Sequence, residues 1–159
     1  FAQELFGTNA SALMHRLPCP VWVVPEGAPK GLPHRIALAV DGLLEPATDG
    51  AFANAVVLGK RLGARVEAVH IHSDGEKPHV DWPEKEQRIR AHSLPVEVRR
   101  APEVEEGLLR FLAETESDAL AFIARKHHWL LELGHRSVSN ALVFRAQQPL
   151  LILHEDRPA

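Results

Sequence analysis

Six short β-rich runs recur along the chain, and helical stripes separate most of them. The runs are Val21 to Val24, Ile36 to Val40, Arg65 to His72, Val96 to Arg100, Leu120 to Ile123 and Leu150 to Leu153. Most are near-continuous in apolar residues rather than alternating, the pattern of strands buried on both faces of a sheet. Between Thr48 and Leu62 the apolar residues Ala51, Ala55, Leu58 and Leu62 recur at helical spacing, with Thr48 or Asp49 as N-cap. After Pro102 a second stripe runs through Val104, Leu108, Phe111, Leu112 and Thr115. Ser137 is placed to cap a third helix carrying Val138, Ala141, Leu142 and Val143, whereas Asp81 to His92 is mostly charged and reads as a short exposed helix. From His34 onward the order is β-α-β-(short α)-β-α-β-α-β. Such alternation predicts an α/β fold: a parallel sheet with right-handed crossovers and helices on both faces.

An internal repeat organises the rest. Shifted by 129 positions, the first segment falls on the last: Ala12 meets Ala141, Leu13 meets Leu142, Arg16 meets Arg145 and Pro20 meets Pro149. Val21 to Val24 then overlie Leu150 to Leu153, apolar on apolar. Chance is the competing explanation for four identities in a short window. The shared grammar of helix, Pro-containing turn and buried strand favours a repeat. The reading divides the chain into residues 1–25, the closing helix and strand of a preceding domain; residues 26–33, a Gly- and Pro-bearing linker; and residues 34–156, a complete domain. A first residue Phe1 in place of methionine fits a fragment of a tandem protein.

Composition narrows the function classes. A net charge of −3 and a pI near 6.4 give no general attraction to nucleic acid or to an anionic membrane. The longest apolar runs, Pro20 to Pro25 and Pro149 to His154, are too short to cross a bilayer. No secretory signal pattern opens the chain, so a cytoplasmic location is expected. The lone Cys19 excludes an internal disulfide, and it is expected to be a buried structural thiol.

Taken in order, these residues resemble the universal stress protein family. Ile36 through Asp41, a helix closing in Leu58, Leu62, Gly63 and Ala64, and Val66 to Ile71 with its His70-Ile71 pair look like the opening of such a domain. Ser117-Asp118-Ala119-Leu120 is similar to the family's approach to strand four, and Ser137-Val138-Ser139 to its entry into the last helix. The resemblance spans nearly all of residues 34 to 156, and residues 5 to 25 match the family's C-terminal segment. It implies a five-stranded parallel, Rossmann-like sheet of the adenine nucleotide alpha hydrolase type, with strand order 3-2-1-4-5. It also implies a role in the stress response and dimers, or tandem pseudo-dimers. A ligand crevice at the carboxyl ends of the strands follows from the topology of open α/β sheets as well.

Nucleotide-binding members of that family carry a G-x-x-G loop after strand four, then G-[S/T] at a helix start. Glycines let backbone N–H groups approach phosphate, and the helix N-terminus adds partial positive charge. Here the loop reads Ala124-Arg125-Lys126-His127-His128-Trp129, and Arg136 precedes Ser137 where the third glycine would stand. Gly134 does not restore the spacing. His127 and Arg136 bring side chains into the space of a phosphate. The candidate crevice residues are Asp41, Ile71, Ala124, Arg125, His127, Arg136, Ser137 and Ser139, and the expectation is a degenerate site for ATP or another adenine nucleotide. Arg125, Lys126, Arg136 and the histidines can instead form a differently built anion site, or simply a solvated basic loop. The N-terminal segment keeps Gly7-Thr8, matching the family's final G-[S/T], and so the nucleotide-binding copy would be the preceding one.

No catalytic constellation stands out: G-x-S-x-G and Walker patterns are absent. The chain is therefore read as a binding or regulatory module rather than an enzyme, with an ATP-binding domain of this family, able at most to hydrolyse ATP slowly, as the alternative. A metal-dependent enzyme is a further alternative, because His70, His72, Asp74, His79, His127 and His128 gather toward one end of the sheet. No resident metal is assigned. Trp129, Leu130, Leu131 and Leu133 read as a surface against a partner domain rather than a lid. Expected partners are a small-molecule ligand and a second domain, tandem or in a homodimer.

Overall fold

The computed structural model describes residues 19–42, 44–75, 81–124 and 147–155. Their strands are β1 (Val21–Val23), β2 (Arg35–Ala39), β3 (Arg65–Ser73), β4 (Val96–Ala101), β5 (Ala119–Ala124) and β6 (Leu150–His154). The helices are α1 (Asp49–Leu62), α2 (Trp82–Ala91) and α3 (Val104–Thr115), and a 3-10 turn at Pro46–Thr48 leads into α1. The helix proposed after Ser137 lies outside the described residues.

All six strands form one sheet in the order β1-β6-β5-β2-β3-β4. The expectation of a five-stranded, all-parallel sheet is therefore corrected: the sheet has six strands and is mixed. β2 pairs in parallel with β3 and β5, β3 with β4, and β5 with β6. β1 runs antiparallel to β6, with Val21 opposite Ile152, Trp22 opposite Leu151 and Val23 opposite Leu150. Pro20 and Pro25 bracket this short edge strand, where a missing N–H is tolerated. The segment between β1 and β2 has neither helix nor strand, and Gly27 and Gly31 have φ of 83° and 126°.

The sheet has a core on each face, which explains the non-alternating strands. Ile36, Leu38 and Val40 face Ala51, Phe52 and Ala55 of α1 and Ile89 of α2. Ala37, Val69, Ile71 and Leu120 face Leu108, Phe111 and Leu112 of α3. Each Val, Leu, Ile or Phe side chain buried this way contributes about 1.5–3 kcal/mol. Period-2 alternation thus survives as a division between two apolar faces rather than between core and water.

Local signals set the helix ends. Thr48 precedes α1, but its hydroxyl accepts from the Glu45 N–H at 3.1 Å and closes the 3-10 turn instead of capping the helix. α1 stops at Gly63, whose φ of 68° suits a residue without a Cβ. α2 opens on Trp82-Pro83, where proline costs no helical hydrogen bond. α3 starts after an extended Glu103 and places Glu105 and Glu106 at the positive end of its dipole. Asp118 joins two strands before β5 begins: its carboxylate accepts from the N–H groups of His34 and Arg35, both at 2.8 Å.

Two expectations fail on burial. Cys19 is exposed, because β1 has only a three-residue ladder and the thiol precedes it at the rim. α2 is not simply an exposed helix, since Ile89 is fully buried and Trp82 packs against the same core.

Candidate functional site

β2, β3 and β5 lie side by side and parallel, so their carboxyl ends open at one edge of the sheet. Ala39 is level with Val69, and Leu38 with Ala121. Carrying both registers forward brings Asp41 level with Ile71 on one side and with Ala124 on the other. Three candidate residues far apart in sequence therefore share one row. Ile71 and Ala124 are buried and Asp41 is exposed. Arg125, His127, Arg136, Ser137, Ser139, Gly7 and Thr8 lie outside the described residues, as do His79, His128, Trp129 and the leucines after it.

The row is supported from the α3 side by an unusually close approach. A Cβ on Gly107 would lie 2.5 Å from Ile71 Cγ2 and 2.9 Å from Ala101 Cβ, so only glycine lets α3 sit this near the end of β3. Beyond it the first turn of α3 brings Glu103, Glu105 and Glu106 to the same end of the sheet. With Leu109 and Arg110 they line an open depression of about 450 Å³. Its carboxylates do not suit a phosphate, and it lies on the helix rather than on the row of strand ends.

On the opposite face the row is bounded by groups that the sequence reading did not assign to the crevice. His70 is buried, and its Nδ1 donates to the carbonyl of Val40, the residue before Asp41, at 3.0 Å. A carbonyl only accepts, which fixes the proton on Nδ1. The His70 ring stacks on Trp82 with centroids 4.1 Å apart and planes 21° apart. Trp82 Nε1 is buried without a hydrogen-bond partner among the described residues. Lys85, one turn along α2, donates to the carbonyl of Gly42 and pairs with Asp81 at 2.6 Å.

α2 is tied to α1 by charge. Arg88 donates from Nε and Nη2 to the two oxygens of Asp49, and His92 Nε2 lies 3.3 Å from Oδ1. The hydrogen bonds from Arg88 hold the Asp49 carboxyl below the usual carboxylate range, with burial opposing and His92 adding to the effect. The spacing Trp82, Lys85, Ile89, His92 follows one helix face. That spacing is the signal available in the sequence, masked because only Trp82 and Ile89 of the four are strongly apolar.

The metal reading gains no support from the described residues. Among them, no group of three or more His, Cys, Asp or Glu side chains is placed to hold an ion. His70 already commits one ring nitrogen to Val40, and the His70 and His72 rings lie 6.4 Å apart. Among the described residues, no helix is long and apolar enough to cross a membrane.

No protein-family profile matches the chain, and no curated protein matches its sequence. Solved structures do match its fold. A universal stress protein from Archaeoglobus fulgidus superposes with a TM-score of 0.68 at 20% identity, over 98% of this chain and 56% of that one. A universal stress protein in complex with cAMP gives 0.56 at 16% identity, over 79% of this chain and 100% of that one. A universal stress protein from Archaeoglobus fulgidus in complex with dAMP gives 0.53 at 18% identity, over 77% of this chain and 99% of that one. The chain thus spans little more than half the length of the first of these proteins. At these identities the likeness concerns architecture, and the architecture is that of the universal stress proteins.

Proposed function

We propose that this chain carries the C-terminal unit of a tandem universal-stress-type protein, acting in the stress response as a binding or regulatory module. Residues 34–156 form that unit, and residues 1–25 close the unit before it. The observation that carries this reading is the antiparallel pairing of β1 with β6. It covers the edge that the last parallel strand would otherwise present to solvent. Coverage supports the same division. The cAMP-bound protein is matched over its full length by 79% of this chain, so one unit of that size takes up most but not all of it. The longer Archaeoglobus chain takes in 98% of this one.

The crevice of this unit is degenerate toward nucleotide phosphate. Ala124 of this row is followed in sequence by His127 and Arg136, which stand where the family's phosphate-binding pattern has glycine. The unit serves its partner domain as a scaffold and takes a small molecule, if any, by side-chain contacts. Titration of ATP, with and without magnesium, against the chain and its His127→Gly, Arg136→Gly double variant tests this. The variant should bind at least about ten-fold more tightly, a difference of about 1.4 kcal/mol. Equal, tight binding by both proteins overturns the degenerate-site reading.

A second reading, that this unit itself binds an adenine nucleotide, draws on the cAMP and dAMP complexes of proteins with this fold. Nucleotide retained through purification and released on denaturation would favour it.

A further inference from the structure

Asp41 is held between two carbonyls that are both gripped by side chains. On one side His70 Nδ1 donates to Val40 O at 3.0 Å, and on the other Lys85 Nζ donates to Gly42 O. The contacts are sheltered from water: Val40 is 6% exposed, His70 4%, and the Lys85 side chain 13%. A turn carbonyl at the rim of a sheet is ordinarily satisfied by water. Placing a largely buried ammonium there is costly unless it is paired and hydrogen-bonded, and Lys85 is both, through Asp81 and Gly42.

Both grips come from one platform. Trp82 and Lys85 stand one turn apart on α2, and Trp82 stacks on the His70 ring. α2 is itself fixed by Ile89 in the core and by Arg88 on Asp49 of α1. The Asp41 turn is thereby referenced to two helices as well as to its own strand.

We propose that His70 and Lys85 are positioning residues for Asp41. Together they form a two-point clamp through which the first turn of α2 sets the geometry of the crevice rim. The functional part of this inference rests on the reading that puts Asp41 in a ligand crevice; the mechanical part does not.

Backbone amide order parameters at Asp41 and Gly42, with the carbonyl-carbon shifts of Val40 and Gly42, test the clamp in the full chain. Lys85→Met keeps the stem but removes the donor, and Lys85→Arg restores one. His70→Phe keeps a ring against Trp82 without the donor, and His70→Asn keeps a donor without the ring. In Lys85→Met and His70→Phe the order parameters should fall from about 0.85 toward 0.6 at Asp41 and Gly42. Those of Ala37 and Leu38 should hold, and Lys85→Arg should recover the wild-type values. Unchanged order at Asp41 in folded Lys85→Met, or a uniform drop along β2, overturns the clamp. If His70→Phe does not fold, Lys85→Met decides alone.

A second arm uses the His127→Gly, Arg136→Gly background with ATP as probe. Adding Lys85→Met should weaken ATP binding about 2- to 10-fold, the worth of one hydrogen bond. ATP binding that is present but insensitive to Lys85→Met overturns the functional part. No ATP binding in that background refutes the nucleotide reading instead, and the order parameters still judge the clamp.

Discussion

Arg88 on α2 grips both carboxylate oxygens of Asp49 at the start of α1, with Nε to Oδ1 at 2.7 Å and Nη2 to Oδ2 at 2.9 Å. The pair joins two helices on one face of the sheet, and its partners lie 39 residues apart. Its acid dependence is predictable in sign. Because the folded-state pKa of Asp49 is depressed from 3.8, the stabilisation is fully present above that value and is lost as pH falls through the lower folded one. Side-chain exposures of 32% and 38% mean that solvent screens the pair, and its removal should cost only about 0.5–1 kcal/mol. Urea midpoints between pH 7 and pH 2.5 should decline less steeply on the acid side for Asp49→Asn than for wild type. Parallel curves would show that the pair contributes nothing.

Gly107→Ala should destabilise the protein although it improves helix propensity. The new methyl group would sit 2.5 Å from Ile71 Cγ2 and 2.9 Å from Ala101 Cβ. Overpacking of this kind costs about 1–3 kcal/mol, against a propensity gain near 1 kcal/mol. A net loss of up to about 2 kcal/mol is expected by chemical denaturation. Ile71→Ala, itself destabilising, should couple favourably with Gly107→Ala in a double-mutant cycle, and strict additivity would count against a direct clash.

Removing residues 1–25 should expose β6, whose Leu150 to Leu153 are buried to 1% or less. An open strand of four aliphatic residues is a template for pairing with another copy. Sedimentation should then show a concentration-dependent dimer or larger species. Should truncation prevent folding, Trp22→Ala reports on the same edge, because Trp22 packs into the α1/α2 core opposite Leu151. Its expected cost is about 2–4 kcal/mol, toward the low end because the ring is only partly buried.

Asp118→Ala should loosen the start of β2. Two backbone N–H groups, of His34 and Arg35, lose a charged acceptor 2.8 Å away. A loss of about 2 kcal/mol is expected. Amide exchange at Arg35 should quicken before that of Leu38, which sits deeper in the ladder. Equal acceleration along the whole strand would point to global rather than local opening.

Much of this architecture is legible in the residues themselves. Ile36 to Val40 and Leu150 to Leu153 are strands because apolar runs of that length, bounded by proline or polar residues, must be covered on both faces. The stripe through Leu108, Phe111 and Leu112 makes α3 a helix with one buried face, and a lone glycine at its end terminates α1. The row of Asp41, Ile71 and Ala124 also follows from strand order, since parallel neighbours in register bring their ends together. α2 resisted the same treatment. Trp82, Lys85 and Ile89 share a face, but charged neighbours dilute its periodicity, and Lys85 looks like any solvated lysine. The exposure of Cys19 resisted it for the opposite reason, because an apolar neighbourhood in sequence did not extend to a covered position in space.

What the sequence alone determined is which segments are apolar, with what period, and where they stop, because these depend on residues within a few positions of one another. Only the tertiary structure decided that β1 runs antiparallel against β6, that Ile89 is a core residue, and that His70 and Lys85 meet the carbonyls beside Asp41. The strand pairing and the two side-chain contacts join groups 30 to 131 residues apart. Periodicity shows that a face must be covered, but packing and hydrogen-bond geometry choose what covers it.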